Sequence, residues 1–396
     1  MSLTRLFDTW DRDPFTLLGV GPMSPMVVEA ALECAAEHAA PMVFIPSRNQ
    51  VEAGGGYVAG WTPAALRAYV SHQMGERRHA GPVYIGRDHG GPWQRDADYQ
   101  AGLGWEAALA SAMDSYAADL AAGFDYLHID TAKDPAHPGG VPLELALERA
   151  VTVLAAVEAH RVATAAPPVA YEVSLEQADG GCSTAADFGF FMDALIKRID
   201  QRGLPTPLFM VGNTGTLTTT GQAGTVDFPA VRELAEVTAR HGVVLKEHNA
   251  DYLTPDDLAR HPGAGIGMAN VAPEFGRLET EALILLSALE QDACRRRGLA
   301  SAEFAAVLER QVLASDRWRK WAGSGDSRAE IVASSGHYFY GTAQVTAARG
   351  ALMAACARLG ICADPEAFVR EAVKAGLRRY LFAFRLAGRN EELCDA

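Results

Sequence analysis

Short apolar runs rich in β-branched and aromatic residues alternate along the chain with longer alanine- and leucine-rich segments, in which apolar positions recur at helical spacing. The first pattern reads as a buried strand, the second as an amphipathic helix. Strands are expected at residues 16–22, 41–47, 81–89, 126–132, 168–174, 206–213, 243–249 and 264–272. Helices are expected between them, among others at 26–39, 62–77, 104–123, 143–161 and 227–242. Thr62-Pro63, Asp227 and Thr254-Pro255 supply start signals, a capping side chain or a proline whose missing N–H costs nothing in a first turn.

Strand–helix alternation implies a parallel sheet. Eight such units over about 280 residues predict an α/β (β/α)8 TIM barrel, whose usual size is about 250 residues. An open doubly wound sheet is the competitor, but no G-x-G-x-x-G follows the first strand. The weak match "GAGIGMAN" (263–270) lies on the last strand instead. After residue 298 only helical patterns remain, at 301–321, 342–360 and 365–384. The predicted organisation is a barrel over 1–298 and an α-helical C-terminal extension over 299–396.

Composition narrows the function classes. The 396 residues are 49% hydrophobic and 21% charged, with a net charge of −14 and no long basic run. Nucleic acid is therefore not expected as a partner, since phosphate binding needs clustered positive charge. No apolar run approaches the roughly 20 residues of a membrane helix, and the N-terminus lacks a signal-peptide pattern. Six cysteines (34, 182, 294, 356, 362 and 394) form no C-x-x-C pair, which fits reduced thiols in a cytoplasmic protein.

The C-terminal ends of barrel strands form the active-site mouth, and here they are polar. Ser47, Asn49 and Gln50 follow strand 2; Asp88 and His89 end strand 3; Asp130 ends strand 4; Glu172 and Ser174 lie on strand 5. Asn213 and Thr214 follow strand 6; Lys246, His248, Asn249 and Asp251 lie on and after strand 7; Asn270 ends strand 8. Polar groups converging inside an apolar frame need partners or a function.

Two histidines from different strands, His89 and His248, with Glu172 as the carboxylate, make a divalent-metal site; Asp130 is the second choice. The metal expected is Zn²⁺, with Mn, Co or Mg as alternatives. Asp88 then faces the substrate as a general acid/base, with Glu172 and Asp130 as further proton-moving candidates. Asn49, Gln50, Asn213, Lys246 and Asn270 are the candidate substrate-binding residues. Plainer readings stand beside these. His128 and His38 read as core or surface histidines, and Glu172 can simply pair with Lys246. A Schiff-base role for Lys246 is disfavoured by the adjacent Glu247. His337 and Tyr338 read as packing residues.

Four stretches carry a resemblance: "SRNQVEAGGGYVAGWTP", "GRDHGGPWQ", "YLHIDTAKD" and "KEHNADYLTP". They resemble segments of the so-called non-catalytic subunit of class II tagatose-bisphosphate aldolases, also labelled tagatose-6-phosphate kinases. The tail "DRWRKW … GHYFYGTAQV" echoes that family's aromatic end. The resemblance implies a metal-dependent, class II aldolase-type barrel. In its terms Asp88 is the acid/base, His89 and His248 are metal ligands, and Asp130 lies near the substrate. Two departures matter. Catalytic relatives have a further ligand histidine after strand 6, where this chain has Asn213, so Glu172 must complete the coordination. They also have small, glycine-rich turns after strands 7 and 8 to receive a phosphate, where this chain has Asp251 and Glu274. No G-x-x-x-x-G-K-[ST] loop is present.

The expected function is a metal-dependent aldolase or epimerase acting on a ketose or sugar acid. The alternative is a non-catalytic partner that stabilises a separate aldolase subunit; a sugar-binding protein without turnover is a third. A small-molecule sugar is the expected partner, with a homo-oligomer or an aldolase subunit as the macromolecular one.

Overall fold

The structure, a computed structural model, describes residues 2–8, 10–174, 183–320, 322–323 and 325–390. Eight parallel strands close into a barrel in sequence order: β1 (Leu17–Val20), β2 (Met42–Phe44), β3 (Val83–Arg87), β4 (Tyr126–Ile129), β5 (Ala170–Ser174), β6 (Phe209–Val211), β7 (Val244–Glu247) and β8 (Ile266–Val271). Each lies within a stretch read as a strand from sequence, and β8 pairs with β1 to complete the ring. The (β/α)8 reading holds.

The barrel helices are α1 (Pro25–Glu37), α2 (Pro63–Glu76), α3 (Asp96–Gln100), α4 (Trp105–Ala121), α5 (Leu143–Ala163), α6 (Ala185–Gln201), α7 (Phe228–Ala239), α8 (Pro255–Ala264) and α9 (Pro273–Arg297). The three start signals act as expected: the side chains of Thr62, Asp227 and Thr254 accept from the backbone N–H of Ala65, Ala230 and Asp257. The five-residue α3 has too little periodicity to be read in advance.

The extension holds α10 (Phe304–Leu313), α11 (Arg328–Ser335), α12 (Ala343–Arg358) and α13 (Pro365–Ala383). Helices α10 to α12 share an apolar cluster with the outer face of α9, including Leu283, Leu286, Leu308, Val332 and Leu352. In contrast, Val373, Leu377, Tyr380 and Leu381 of α13 join the barrel's own core. The last helix is thus stitched between α1 and α9. At the other end of the chain, Phe7 packs edge-on against Phe209, with ring centroids 5.4 Å apart. None of the described helices is long and apolar enough to cross a membrane.

Strand β3 ends at Arg87 and runs into a turn that carries Asp88 and His89. Arg87, pointing out of the barrel, forms a bidentate pair with Asp119 of α4 (2.7 and 2.6 Å) and donates to the carbonyls of Pro46 and Val51. This buried fork ties β3 to the loop after β2. His89 then takes a left-handed backbone conformation, φ +42°, which is uncommon and costly for a non-glycine residue. Two glycines are needed immediately afterwards. A Cβ on Gly90 would lie 2.4 Å from the carbonyl oxygen of His128, and one on Gly91, at φ +104°, 2.3 Å from that of Asp130. The chain passes so close to the end of β4 that only glycine fits.

Candidate active site

Strand periodicity sends alternate side chains into the barrel. His128 and Glu172 stand side by side on β4 and β5, while Lys246 and His248 follow the same parity on and just past β7. Asp88, His128, Glu172 and His248 are all buried, and each offers a ligand atom within 4.8 Å of the others. His89, His128 and His248 form a second, overlapping set under the same limit. The ring centroids of His89 and His128 lie 4.9 and 5.0 Å from that of His248.

The hydrogen bonds define which atoms carry protons. Burial alone would raise the carboxyl of Asp130, but the hydrogen bond from His89 and the Ala132 N–H hold it well below the usual range. The ionised carboxylate can only accept, so Nδ1 of His89 donates to it at 2.7 Å and the ring's lone pair lies on Nε2. Carboxylate–histidine contacts of this kind orient a ligand and fix its tautomer. The His89 side chain is 35% exposed while that of Asp130 is 1%: His89 opens to the mouth and Asp130 stands behind it.

Glu172 is held from both sides. Its Oε2 accepts from Lys246 Nζ at 2.6 Å and its Oε1 faces His248 Nε2 at 2.6 Å. Burial opposes its ionisation, yet the Lys246 ammonium and the His248 hydrogen bond outweigh burial and keep the group well below an ordinary glutamate. Desolvation lowers the pKa of His128 and keeps it neutral. Its Nδ1 accepts the backbone N–H of His89 at 3.1 Å. Asp88 is anchored by Asn270, whose Nδ2 donates to Oδ1 at 3.0 Å. Glycine at position 19 makes this possible, since a Cβ there would meet Asn270 Oδ1 at 2.4 Å.

These residues fit a divalent ion. The donors are imidazole nitrogens and ionised carboxylates, the set that suits Zn²⁺ and its neighbours. Asn270 Oδ1 and Ser174 Oγ are buried with no hydrogen-bond partner among the described residues, a costly arrangement unless a bound group or water meets them. His128 Nε2, also unpartnered, carries that ring's proton and can only donate to such a group. His248 Nε2 shares its proton with Glu172, so an ion taking that nitrogen displaces the proton.

The other expected residues have different surroundings. Asn49 spends its amide on the loop before α3, donating to the Gln94 carbonyl and accepting from Asp96 N–H. Gln50 accepts from Ser47 N–H and contacts Met23 Sδ. Asn213 is buried; its carbonyl accepts from the Ser183 N–H, and its own N–H donates to the Ser183 hydroxyl. Lys246, expected among the substrate-binding residues, is fully buried with its ammonium on Glu172 and the Tyr126 hydroxyl; it reaches Glu172 rather than the mouth. Glu247 points the other way, to His261, Thr214 and Thr216, so it has no bearing on Lys246. His128, one of the histidines with a core or surface reading, is a buried core residue and also lines the cluster. Its even-numbered parity with Asp130 was the available signal.

Residues 9–186 match the sequence model of the family described as D-tagatose-1,6-bisphosphate aldolase subunit GatZ/KbaZ-like. The resemblance read from the sequence holds over that stretch, which contains Asp88, His89, His128, Asp130 and Glu172 and ends before Lys246, His248 and Asn270. A probable tagatose 6 phosphate kinase from Sinorhizobium meliloti 1021 has a similar structure, with TM-score 0.77 at 22% identity over 93% of this chain and 100% of its own. The YdjI aldolase from Escherichia coli K12 matches at TM-score 0.53 and 11% identity, covering 98% of this chain and 99% of its own. Fructose-bisphosphate aldolase (Fba) from Campylobacter jejuni matches at 0.54 and 13%, covering 98% and 96%. Such distant likenesses establish the barrel architecture that the chain shares with aldolases.

Proposed function

We propose that the protein is a divalent-metal-dependent enzyme acting on a ketose or sugar acid, as an aldolase or an epimerase. The observation that carries this reading is the convergence of Asp88, His128, Glu172 and His248 on one buried point, with the ring of His89 beside them. His248, which belongs to both groups, with Glu172 from one and His89 from the other, would hold the ion, Zn²⁺ by preference. Once bound, it would polarise the substrate carbonyl and an adjacent hydroxyl as a Lewis acid.

The chain's own residues supply the rest. Asp130 keeps the His89 ring turned to the site, and Lys246 keeps Glu172 ionised and aimed. Asp88, steadied by Asn270, takes or returns a proton on the substrate. Taking a hydroxyl proton allows the neighbouring carbon–carbon bond to break into two fragments. Re-forming that bond on the opposite face gives an epimer, and the same groups serve both outcomes. Asn270 and Asn213 are the proposed contacts for sugar hydroxyls. The chain carries no phosphate-binding kinase loop of the G-x-x-x-x-G-K-[ST] type, so phosphoryl transfer finds no support.

A second reading is favoured by the family description, which names an aldolase subunit: a partner that stabilises a separate catalytic chain. The two separate cleanly. Metal content is measured in the protein purified without chelator, and in His89→Ala and His248→Ala. About one divalent ion in the parent, lost in both variants, with turnover by the isolated chain, supports the enzyme. No ion after reloading, and no turnover, moves the assignment to the partner subunit.

A further inference from the structure

In (β/α)8 barrels a substrate phosphate is commonly received by the loops after strands 7 and 8 and the N-terminus of a helix there. Unpaired amide N–H groups and the helix dipole make such a corner attractive to an anion. In this protein the corner is filled by its own carboxylates. Oδ1 of Asp251, in the loop after β7, accepts from the N–H groups of Ala272 (3.0 Å) and Glu274 (2.8 Å), at the start of α9. The Tyr252 N–H donates to Oε2 of Glu274 at 2.6 Å, and the Ala250 N–H donates to the Asn270 carbonyl at 3.1 Å. The amides that would cradle a phosphate are therefore already engaged.

The C-terminal extension secures this arrangement. Arg379 of α13 pairs with Oε1 of Glu274 at 2.8 Å and donates to the Leu253 carbonyl at 2.8 Å. The hydroxyl of Tyr380, the next residue, lies within hydrogen-bond reach of both Oε2 of Glu274 and the Ala250 carbonyl, and its one proton serves these two acceptors. Asp251 and Glu274 are 2% and 3% exposed, so neither swings aside without breaking several buried hydrogen bonds. An incoming phosphate would have to displace Asp251 and settle against Glu274, a like-charge contact in a desolvated corner. Arg379 is committed to Glu274, and Arg277, over the Tyr252 ring, pairs with Glu281.

We infer that the substrate carries no phosphate on the end that faces β7 and β8, and is an unphosphorylated ketose or keto sugar acid rather than a sugar bisphosphate. The inference rests on the sugar-processing reading above and narrows it. A ketose bisphosphate has a phosphate at each end and so cannot avoid this corner.

Two measurements test it. The metal-loaded full chain is incubated in D₂O with ketohexoses, keto uronates and ketohexose bisphosphates, and products are followed by NMR. The unphosphorylated compounds should be turned over at least about tenfold faster, because like-charge juxtaposition costs several kcal/mol. Equal or faster turnover of a bisphosphate overturns the inference while leaving the enzyme reading intact. Turnover of none, with metal bound, overturns the enzyme reading, and the second measurement then decides the corner by itself. Thermal unfolding is compared in inorganic phosphate and in chloride of matched ionic strength, for the parent, Asp251→Ala and Asp251→Asn. Asp251→Ala, which uncovers the Ala272 and Glu274 amides, should gain a phosphate-dependent rise in Tm that the parent and Asp251→Asn lack. A parent stabilised by phosphate as much as Asp251→Ala overturns the inference. Should Asp251→Ala fail to fold, a phosphate-dependent rise in the parent overturns it and a flat response upholds it.

Discussion

Lys246 and Glu172 form an ion pair at 2.6 Å with both side chains fully inside the barrel. The ammonium also meets the Tyr126 hydroxyl and lies 4.8 Å from the centre of that ring. A buried pair gains little over apolar packing, but removing one partner strands the other charge. Its value here is positional: it fixes which oxygen of Glu172 faces His248.

Lys246→Met should therefore destabilise the protein by about 3 to 5 kcal/mol, the cost of an unpaired buried charge. Lys246→Met combined with Glu172→Gln should recover much of that loss. Urea unfolding of the two single variants and the double variant gives the coupling energy, and additive effects would contradict the pairing.

Asp130→Asn tests the orientation of His89. An amide cannot hold the Nδ1 proton as a carboxylate does, and loss of such a support usually lowers metal affinity about 10- to 100-fold. Competition with a chromogenic chelator should show that drop, while Tm without metal changes little. An unchanged affinity would remove Asp130 from the site.

Gly19→Ala places a methyl group where Asn270 Oδ1 now sits, 2.4 Å from the ideal Cβ, with Met268 Cε at 2.9 Å. Overpacking of this kind costs about 1 to 3 kcal/mol. It should also push Asn270 off Asp88. The expected outcome is a fall in kcat much larger than the stability loss explains at assay temperature, with metal content unchanged.

Asp251 gives a pH signature. Burial, reinforced by Glu274, pushes its carboxyl up to about 8. A carboxyl raised in the folded state stabilises fully below its unfolded value, near 4, and that contribution is lost as pH rises through the folded value. Parent stability should thus decline between about pH 4 and pH 8 more steeply than that of Asp251→Asn. The uncharged amide can still accept the Ala272 and Glu274 N–H groups. Parallel curves of Tm against pH would refute the assignment.

The order of apolar runs and helical segments determined the barrel, because a strand–helix alternation repeated eight times leaves a parallel sheet few ways to close. Strand ends also carried most of the candidate site: Asp88, His89, Glu172 and His248 were legible as polar residues where core strands should be apolar. Parity along a strand could have added His128 through Asp130, and could have turned Glu247 away from Lys246, since neighbours on a strand face opposite sides. Other facts had no local signal. Whether Glu172 meets Lys246 or His248, which it does together, depends on the register and radius of the closed barrel. That Asp251 caps the start of α9, and that Arg379 and Tyr380 from the far end of the chain hold Glu274 beside it, depends on α13 docking against α9. Sequence fixes which chemical groups are available at each strand end, but hydrogen bonds between segments distant in the chain are decided only when packing brings those ends together.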